Sequence, residues 1–317
     1  MRLPGIQGIN YSLQVSLEGA QIALKNHSLY KVSYDYIRPN FGDTLNKYLF
    51  SYLLPHYTLS TYQNADIIAC GSLLNYMDAI AVDRISFYNR LKPIKVWGSG
   101  FIDSVNPKNF NPRRPLEIHC ARGQKSMKIL ESLPKVIIKD NTVGDPALLF
   151  PILVNIKKPA HSLYPYGVVL HYSHANNIKT NQLSPNIKII DVTKDPLAVV
   201  QDISECENII STSLHGIIIG DALGKNTVYA KSYPPLIGGS FKFEDYYSSL
   251  GFDQLPFPDL YLRLIDEPEI RYLTTYSIKV NPDIIRGLRS NLIDSFPFLI
   301  DKDVKKLLRT RIAESTS

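Results

Sequence analysis

One histidine follows a short hydroxyl-rich turn in a position suited to acid–base chemistry. Residues 207–210 end in an apolar pair and predict a strand, Ser211-Thr212-Ser213 forms a tight turn, and a helix is expected from Leu214 to about Gly224. His215 then lies in the first helical turn, where the helix dipole lowers the proton affinity of the imidazole. Such a group suits general acid or base catalysis, or hydrogen bonding to a phosphate. A satisfied core or surface histidine is the alternative interpretation.

Two further groups stand where predicted strands end. Arg122 follows the apolar run 116–120, and its planar guanidinium is suited to holding a carboxylate or phosphate by two parallel hydrogen bonds. An ordinary surface arginine is the alternative. His171 and His174 follow the run 167–170. Because no carboxylate or cysteine accompanies them in metal-ligand spacing, we expect these histidines to line a cleft rather than to bind a metal.

Loops after other predicted strands offer polar groups and close backbone approach. Asn40 or Asp43 is expected to cap a helix that begins near Thr44, and an ordinary capped turn is the alternative to an anion or hydroxyl site there. Gly71-Ser72 and Gly98-Ser99-Gly100 follow strands directly. Neither glycine loop has the dinucleotide-binding fingerprint or the lysine–serine pair of a phosphate loop. This argues against a nicotinamide enzyme and a nucleoside triphosphatase.

Two other segments have a predicted structural or mobile character. Asp145 precedes Pro146 and is expected mainly to begin a helical turn, with proline at its favoured first position. The glycine-rich loop Gly238-Gly239-Ser240, with residues 241–247 after it, is expected to form a mobile flap or, alternatively, a plain surface loop.

Short β-branched apolar runs separated by helix-like stretches must position these groups. Such runs predict buried strands of a parallel sheet with crossover helices. They form two sets, at residues 65–70, 94–97, 116–120 and 135–138, and at residues 167–171, 187–191, 208–210 and 227–230. We therefore predict an α/β protein with two Rossmann-like lobes, and with its ligand in the cleft at the carboxyl ends of the strands.

The lobes are predicted to meet in a proline-punctuated linker near residues 150–166. This divides the chain into an N-terminal α/β lobe, residues 1–155, and a C-terminal α/β lobe, residues 156–317. Residues 283–313 predict a helical C-terminal tail of two helices separated near Pro297.

Composition excludes several classes of protein. The 317 residues carry 35 lysines and arginines against 29 acids, and 44% are apolar, which excludes a disordered chain. Three cysteines are too few for a disulfide framework, so reduced thiols are expected. Without a basic stripe interleaved with aromatics, nucleic acid is not an expected partner. No apolar stretch reaches the ~18 residues of a membrane span, and the N-terminus lacks a secretory signal.

Taken together, the loops resemble those of the polysaccharide pyruvyltransferase family. The matching segments lie in order between about Arg38 and Gly251: Asn40-Phe41-Gly42-Asp43, Gly71-Ser72, Gly98-Ser99-Gly100, Arg122 with Ser126, Gly144-Asp145-Pro146-Ala147, residues 210–216 with 222–224, and residues 242–247. The resemblance implies transfer of pyruvate from phosphoenolpyruvate to two hydroxyls of a sugar, which forms a cyclic ketal on a surface polysaccharide such as an exopolysaccharide or capsule. It also implies a fold similar to the two-lobed GT-B glycosyltransferase type.

The same resemblance implies the roles of individual residues. In the family, arginines and an arginine-leucine-histidine triplet hold phosphoenolpyruvate; the triplet's histidine corresponds to His215, and an upstream arginine to Arg122. The triplet's arginine is replaced by Ser213, so another cation must neutralise the donor, and Lys231, Arg38 and Lys95 are the candidates. The implied donor-binding residues, in the C-terminal lobe, are Ser211, Thr212, Ser213, Leu214, Lys231 and His171. The implied acceptor-binding residues, in the N-terminal lobe, are Asn40, Asp43, Gly71, Ser72 and Gly98. Phosphoenolpyruvate is the donor substrate, and no metal or other cofactor is expected.

The implied acceptor is a sugar or a polyprenyl-linked oligosaccharide. A cytoplasmic protein is therefore expected, with peripheral contact to the inner face of the cytoplasmic membrane as a further expectation. The C-terminal cations would favour an anionic surface or, alternatively, form a solvated helix face; they are Lys302, Lys305, Lys306, Arg309 and Arg311. The acceptor sugar and the oligomeric state stay open. Two rival functions are a nucleotide-sugar-dependent glycosyltransferase on the same two-lobed fold and a non-catalytic glycan-binding or assembly protein.

Overall fold

The computed structural model describes residues 30–33, 40–54, 56–78, 91–174, 179–180 and 184–315. Arg38, one of the three candidate cations, lies outside the described residues. Within these ranges the chain is a mixed α/β protein with two larger parallel sheets and one short parallel strand pair.

The first sheet has six strands: four come from the first set of apolar runs, and two more, at residues 30–32 and 57–59, were not predicted. Its strands are β1 (Tyr30–Val32), β2 (Tyr57–Leu59), β3 (Ile67–Ile68), β4 (Ile94–Ser99), β5 (Leu116–Ala121) and β6 (Val136–Ile138), in the spatial order β2-β1-β3-β4-β5-β6. All neighbours are parallel, with Val32 opposite Ile67 and Val96 opposite Ile118. The interior strands β3, β4 and β5 are largely buried, as continuous apolar runs require when helices cover both faces.

The second sheet is built from the second set of runs. Strands β7 (Tyr164–Val169), β9 (Ile187–Ile190), β10 (Cys206–Ser211) and β11 (Asn226–Tyr229) pair in parallel in the order β11-β10-β7-β9. Strand β8 (Lys179–Thr180) pairs separately with β12 (Leu264–Ile265). The predicted parallel strands in both halves of the chain are thereby confirmed.

Helices connect and cover these strands. They are α1 (Phe41–Leu53), α2 (Gln124–Glu131), α3 (Phe150–Leu153), α4 (Pro196–Ser204), α5 (Leu214–Ala222), α6 (Phe241–Ser249), α7 (Glu267–Thr274), α8 (Pro282–Asp294) and α9 (Lys302–Glu314). Asp195 before Pro196 and Asn281 before Pro282 cap α4 and α8 through side-chain oxygens. An acceptor at the cap and a proline in the first turn are the local signals that begin a helix.

Helix α5 is the central element of the molecule. All nine of its residues are buried, and it packs against α1, α3, α4 and the turn Pro146–Leu149 as well as against β10 and β11. One continuous core joins both halves of the chain, since Phe41 and Trp97 belong to the same buried cluster as Ile217 and Leu292. A helix that is apolar on every side is stable only when it is enclosed in this way.

The predicted pair of C-terminal helices is confirmed as α8 and α9, which dock on both halves of the chain. Trp97 Nε1 donates to the Leu292 carbonyl at 3.0 Å. The buried Arg289 donates from Nε to the Leu148 carbonyl at 2.9 Å and from Nη2 to the Ala222 carbonyl at 2.7 Å. The predicted linker begins with the buried helix α3, which carries part of this contact surface.

Two general features concern the cysteines and the helices. Cys70, Cys120 and Cys206 are buried and form no disulfide. Within the described ranges, every helix falls short of the length and apolar character that a membrane crossing requires.

Candidate functional site

The carboxyl-terminal loops of both sheets meet around a cavity of about 100 Å³, named here the His215 cavity. Its lining contains Asn40, Asp43, Ser72, Leu73, Tyr76, Ile102, His171, Tyr172, Ser213, Leu214, His215 and Lys242. Residues predicted for the donor and for the acceptor are therefore brought into one place, although they come from strands of different sheets. A parallel sheet exposes such loops at one edge, which is why both groups converge.

His215 lies in the first turn of α5 with its side chain largely enclosed. Its Nε2 is 4.0 Å from Asp145 Oδ2, and neither atom has a hydrogen-bond partner among the described residues. Its ring also lies directly over Gly42, where a Cβ atom would be 2.0 Å from Nδ1. Burial first, and then the charges of Lys242 and Arg122, lower the pKa of His215 to about 3. The imidazole is therefore neutral near pH 7.

Asp145 is fully buried behind this histidine. Its Oδ1 accepts a hydrogen bond from the Ala147 amide at 2.9 Å, so the predicted capping role is confirmed. Its other oxygen, Oδ2, faces His215. Burial raises the pKa of Asp145 to about 6, so the carboxylate is ionised near pH 7, and its charge lowers the stability of the folded protein. A carboxylate in this position stabilises the imidazolium that forms when His215 accepts a proton.

Lys242 is the buried cation that sequence reasoning missed. It lies in the first turn of α6, is 8% exposed and lines the His215 cavity. Its ammonium forms no hydrogen bond or ion pair with any residue of the described part of the chain. Burial and the nearby Arg122 lower the pKa of Lys242 to about 8, while Asp43 raises it. Lys242 thus brings to the cavity a positive charge that has no carboxylate partner among the described residues.

A sequence signal for Lys242 existed but was ambiguous. The lysine belongs to a family-like segment, yet Glu244 and Asp245 follow it closely and are the obvious partners by spacing. In the structure these acids pair with other residues: Glu244 pairs with Lys125 at 2.8 Å, and Asp245 pairs with Arg122 at 2.8 Å. Only this tertiary pairing leaves the Lys242 ammonium for the cavity.

The prediction of a mobile flap over residues 241–247 is wrong, because these residues form the anchored first part of α6. Asp245 is fully buried and accepts hydrogen bonds from the Ser126 amide at 2.8 Å, from Ser126 Oγ at 2.6 Å and from Arg122 Nε at 2.9 Å. A buried carboxylate with this many donors holds its helix in place.

Arg122 is fully buried behind the cavity and directed into the protein. Its Nη1 donates to Ser72 Oγ at 2.8 Å, its Nη2 donates to the Phe101 carbonyl, and its Nε donates to Asp245. In the structure these protein groups bind the guanidinium, and the predicted two-point contact with a donor carboxylate stays a prediction. Arg122 instead positions Ser72, which lines the cavity, and Asp245, which anchors the helix that carries Lys242.

The turn Ser211-Thr212-Ser213 has hydroxyl groups that form hydrogen bonds within the protein, and its last residue lines the cavity. Ser211 Oγ accepts from the Ser213 amide at 3.0 Å and lies 2.7 Å from the Ser213 carbonyl. Thr212 Oγ1 accepts from the His171 amide at 2.7 Å. Ser211 and Thr212 are fully buried and shape the turn, whereas Ser213 and Leu214 line the His215 cavity together with His171.

The two described candidate cations lie elsewhere. Lys231 pairs with Asp259 at 2.7 Å and lines a separate cavity. Lys95 pairs with Glu117 and lies over the Phe298 ring. Both ammonium groups are neutralised by a carboxylate outside the His215 cavity.

The residues predicted for the acceptor differ in their placement. Asn40 caps α1, and its Nδ2 donates to Asp43 Oδ2 at 2.8 Å within the cavity lining. Gly71 borders this carboxylate, since a Cβ there would be 3.1 Å from Asp43 Oδ1. Gly98 is not part of the lining but packs on Pro146, where a Cβ would be 2.1 Å from Cδ. Across the described residues, no group of three or more histidine, cysteine, aspartate or glutamate side chains is arranged to hold a metal ion.

The geometry defines what the cavity can do chemically. A neutral imidazole backed by a carboxylate can accept and return a proton, and a buried ammonium beside it attracts an anionic group. Low local dielectric strengthens both effects. The site therefore suits proton transfer on a small anionic substrate.

Comparisons with known proteins extend this picture. A family model described as polysaccharide pyruvyl transferase matches residues 14–231, which is more than half of the chain. The succinoglycan biosynthesis protein ExoV of Rhizobium meliloti is 24% identical over 219 residues, covering 68% of this chain and 63% of that protein. The uncharacterized protein L143 of Acanthamoeba polyphaga mimivirus is 27% identical over 143 residues, covering 44% of this chain and 50% of that protein. The chain thus spans between half and two thirds of the lengths of these curated relatives. A crystal structure of a functionally uncharacterized Klebsiella pneumoniae protein aligns with a TM-score of 0.41 and 15% identity, covering 78% of this chain and 96% of that one.

Proposed function

Because the chain belongs to the polysaccharide pyruvyl transferase family, we propose that it transfers pyruvate from phosphoenolpyruvate to two hydroxyls of a sugar, forming a cyclic ketal. The sugar would belong to a surface polysaccharide precursor, as the name of the succinoglycan biosynthesis relative suggests. The observation that carries the proposal is the His215 cavity, in which a neutral imidazole, a carboxylate behind it and a buried ammonium converge.

The donor is proposed to bind through its negative charges. Phosphoenolpyruvate carries a carboxylate and a phosphate, and the Lys242 ammonium lines the cavity beside His215. Helix α5 begins at the same place, and its cap residue Ser213 makes no side-chain capping bond. Backbone amides at a helix N-terminus favour an anion. Ser72, oriented by Arg122, adds a hydroxyl on the opposite side of the lining.

His215 is proposed to move the proton that the reaction requires. The first sugar hydroxyl adds to C2 of the donor while C3 gains a proton, which turns the enol ester into a phosphorylated ketal centre. Neutral His215 accepts the hydroxyl proton and delivers it to C3, and Asp145 stabilises the imidazolium formed in between. The second hydroxyl then adds at C2 while phosphate leaves, and the phosphate takes up the proton of that hydroxyl. Atoms and charges balance as one ketal and one inorganic phosphate.

The acceptor is proposed to lie against the N-terminal half of the cavity lining. Asn40 and Asp43 present an amide and a carboxylate there. Such groups pair with the neighbouring hydroxyls of a sugar, which need both donors and acceptors. In this proposal, the donor lies toward the C-terminal half and the reacting sugar unit toward the N-terminal half of a two-lobed, GT-B-like architecture.

The acceptor is proposed to be linked to a polyprenyl lipid and to be modified at the cytoplasmic face of the membrane. On helix α9, Arg309 and Lys305 approach Asp294 and Arg311 donates to the carbonyls of α3, whereas Lys302 and Lys306 are exposed. Contact of these exposed cations with an anionic membrane surface stays part of the proposal, beside the lipid of the acceptor.

The proposal is tested with purified protein, phosphoenolpyruvate and lipid-linked sugars. The expected product gains the mass of one pyruvate less one water, with one phosphate released per product. His215→Ala should lower turnover by roughly a hundredfold or more. Replacement of the exposed His161 by alanine is the matched control and should leave turnover unchanged. Sugar transfer from a nucleotide sugar, with phosphoenolpyruvate inert, would contradict the proposal and favour a glycosyltransferase. Saccharide binding without phosphate release would favour a glycan-binding protein.

A further inference from the structure

A second cavity of about 280 Å³ lies beside the His215 cavity and has no part in the chemistry proposed above. One hydrogen bond joins the linings of the two cavities. His171 lines the His215 cavity, Thr212 lines the second cavity, and the His171 amide donates to Thr212 Oγ1 at 2.7 Å. On the other side, Ser240 lines the second cavity and Lys242 lines the first. The two cavities are therefore neighbours.

An aromatic surface forms one wall of the second cavity. The rings of Tyr233 and Tyr261 stack nearly in parallel, with centroids 5.5 Å apart and planes inclined by 16°. Tyr233 is 65% exposed, so burial of its ring in the core does not explain its presence. The negative face of such a ring attracts the positively polarised C–H groups on the flat face of a sugar.

The Tyr233 segment is held in place from both sides. His174 contacts Ser232 Oγ through Nδ1 at 2.7 Å and the Pro234 carbonyl through Nε2 at 2.8 Å. Both bonded residues are immediate neighbours of Tyr233. A stacking surface whose backbone is already fixed loses little conformational entropy when a ligand binds.

The polar groups of this cavity favour a neutral ligand. Lys231 lines the cavity and forms an ion pair with Asp259 at 2.7 Å, and its ammonium lies 5.8 Å from the Tyr261 ring centroid. The pair offers a hydrogen-bond donor and an acceptor but carries no net charge. Sugar hydroxyl groups need both kinds of partner, whereas a second anion would need a net positive charge.

We propose that the second cavity binds the sugar unit next to the one that receives pyruvate, with Tyr233 and Tyr261 as its stacking surface. The inference rests on the proposed function, since it takes the acceptor to be an oligosaccharide. It assigns acceptor-length specificity to residues outside the His215 cavity.

The test compares acceptors of one to four hexose units in the wild-type protein and in Tyr233→Ala and Tyr261→Ala. The ratio of kcat/KM for the two-unit acceptor to that for the one-unit acceptor should fall by about five- to tenfold in each alanine variant. Tyr233→Phe keeps the ring and should retain the wild-type ratio. The KM for phosphoenolpyruvate is measured in parallel, because a general folding defect would change it as well. An unchanged ratio in both alanine variants would overturn the inference.

A second measurement separates this inference from the proposed function. Binding of the same oligosaccharides is followed by saturation-transfer NMR without phosphoenolpyruvate, and Tyr233→Ala should weaken it by about the same factor. If the wild-type protein transfers no pyruvate but Tyr233→Ala still weakens binding, the proposed function fails and the subsite stands. If the wild-type protein binds no oligosaccharide, or binds it equally well without the Tyr233 ring, the subsite is refuted.

Discussion

Replacement of Gly42 by alanine should abolish most activity by displacing the His215 imidazole, which the variant still contains. Gly42 lies in the first turn of α1, and a Cβ there would be 2.0 Å from His215 Nδ1 and 2.5 Å from its Cγ. Ordinary contact begins at about 3.4 Å, so the imidazole must shift by more than an ångström. The ring has little room to do so, because Asp145 and the edge of Phe41 lie around it.

The expected size of the effect follows from the reaction geometry. A misplacement of about 1 Å at a reacting group costs on the order of a hundredfold in rate. We expect kcat for phosphate release in Gly42→Ala to fall about a hundredfold, as in His215→Ala. Combining the two changes should cause little further loss, since both remove the same function. The assay is phosphate release at saturating donor, with product mass as confirmation.

The exposed Gly287 in α8 provides the matched control. A Cβ there meets no atom within 4 Å, so Gly287→Ala should leave kcat unchanged and stabilise the protein by up to about 1 kcal/mol through helix propensity. Wild-type kcat in Gly42→Ala would refute the proposed position of His215 in the reaction. A double variant whose losses multiply would show that Gly42 acts independently of the imidazole.

Three further predictions concern the charged groups around the cavity. Lys242→Met should raise the KM for phosphoenolpyruvate about 10- to 100-fold by loss of a charge-assisted contact. Since the wild-type pKa of Lys242 is about 8, initial rates should also show the wild-type KM rising as pH increases above 8, with no such rise in Lys242→Arg. Asp145→Asn should retain the cap at Ala147 but lower kcat about tenfold. Burial raises the pKa of Asp145 from 3.8 to about 6, so the charged carboxylate destabilises the folded protein. This destabilisation is absent at low pH and develops as pH rises through this interval. Urea unfolding near pH 7 should therefore show Asp145→Asn to be more stable than the wild type by up to about 3 kcal/mol. Asp245→Ala leaves Arg122 as a buried unpaired charge and should lower the free energy of unfolding by about 3–5 kcal/mol in the same assay.

Local pattern was sufficient to predict eight strands, four in each of the two larger sheets, but not the short strands β1, β2, β8 and β12. Continuous β-branched runs predicted the parallel strands, because a strand covered on both faces needs apolar residues at successive positions. The Asp145-Pro146 pair predicted the cap at its turn, because an acceptor side chain and a proline act within a few residues of one another. The position of His215 in the first turn of α5 was predictable for the same reason, since it depends only on neighbouring residues.

Tertiary structure alone decided which charges are paired. The sequence marks Arg122 as a candidate guanidinium and does not single out Lys242. In the fold, Asp245 joins Arg122 across 123 residues, and Lys242 has no carboxylate partner among the described residues. The same buried carboxylate anchors the helix Phe241–Ser249, which follows the glycines that suggested a mobile flap.

The meeting of His215 with Asp145 and Gly42 has the same origin. These residues lie on three separate elements, α5, the turn Pro146–Leu149 and α1, which the continuous core packs together. Sequence therefore determined what each segment becomes, since hydrogen bonding and side-chain periodicity are local. Packing determined what each side chain meets, since burial and charge pairing depend on residues far apart in the chain.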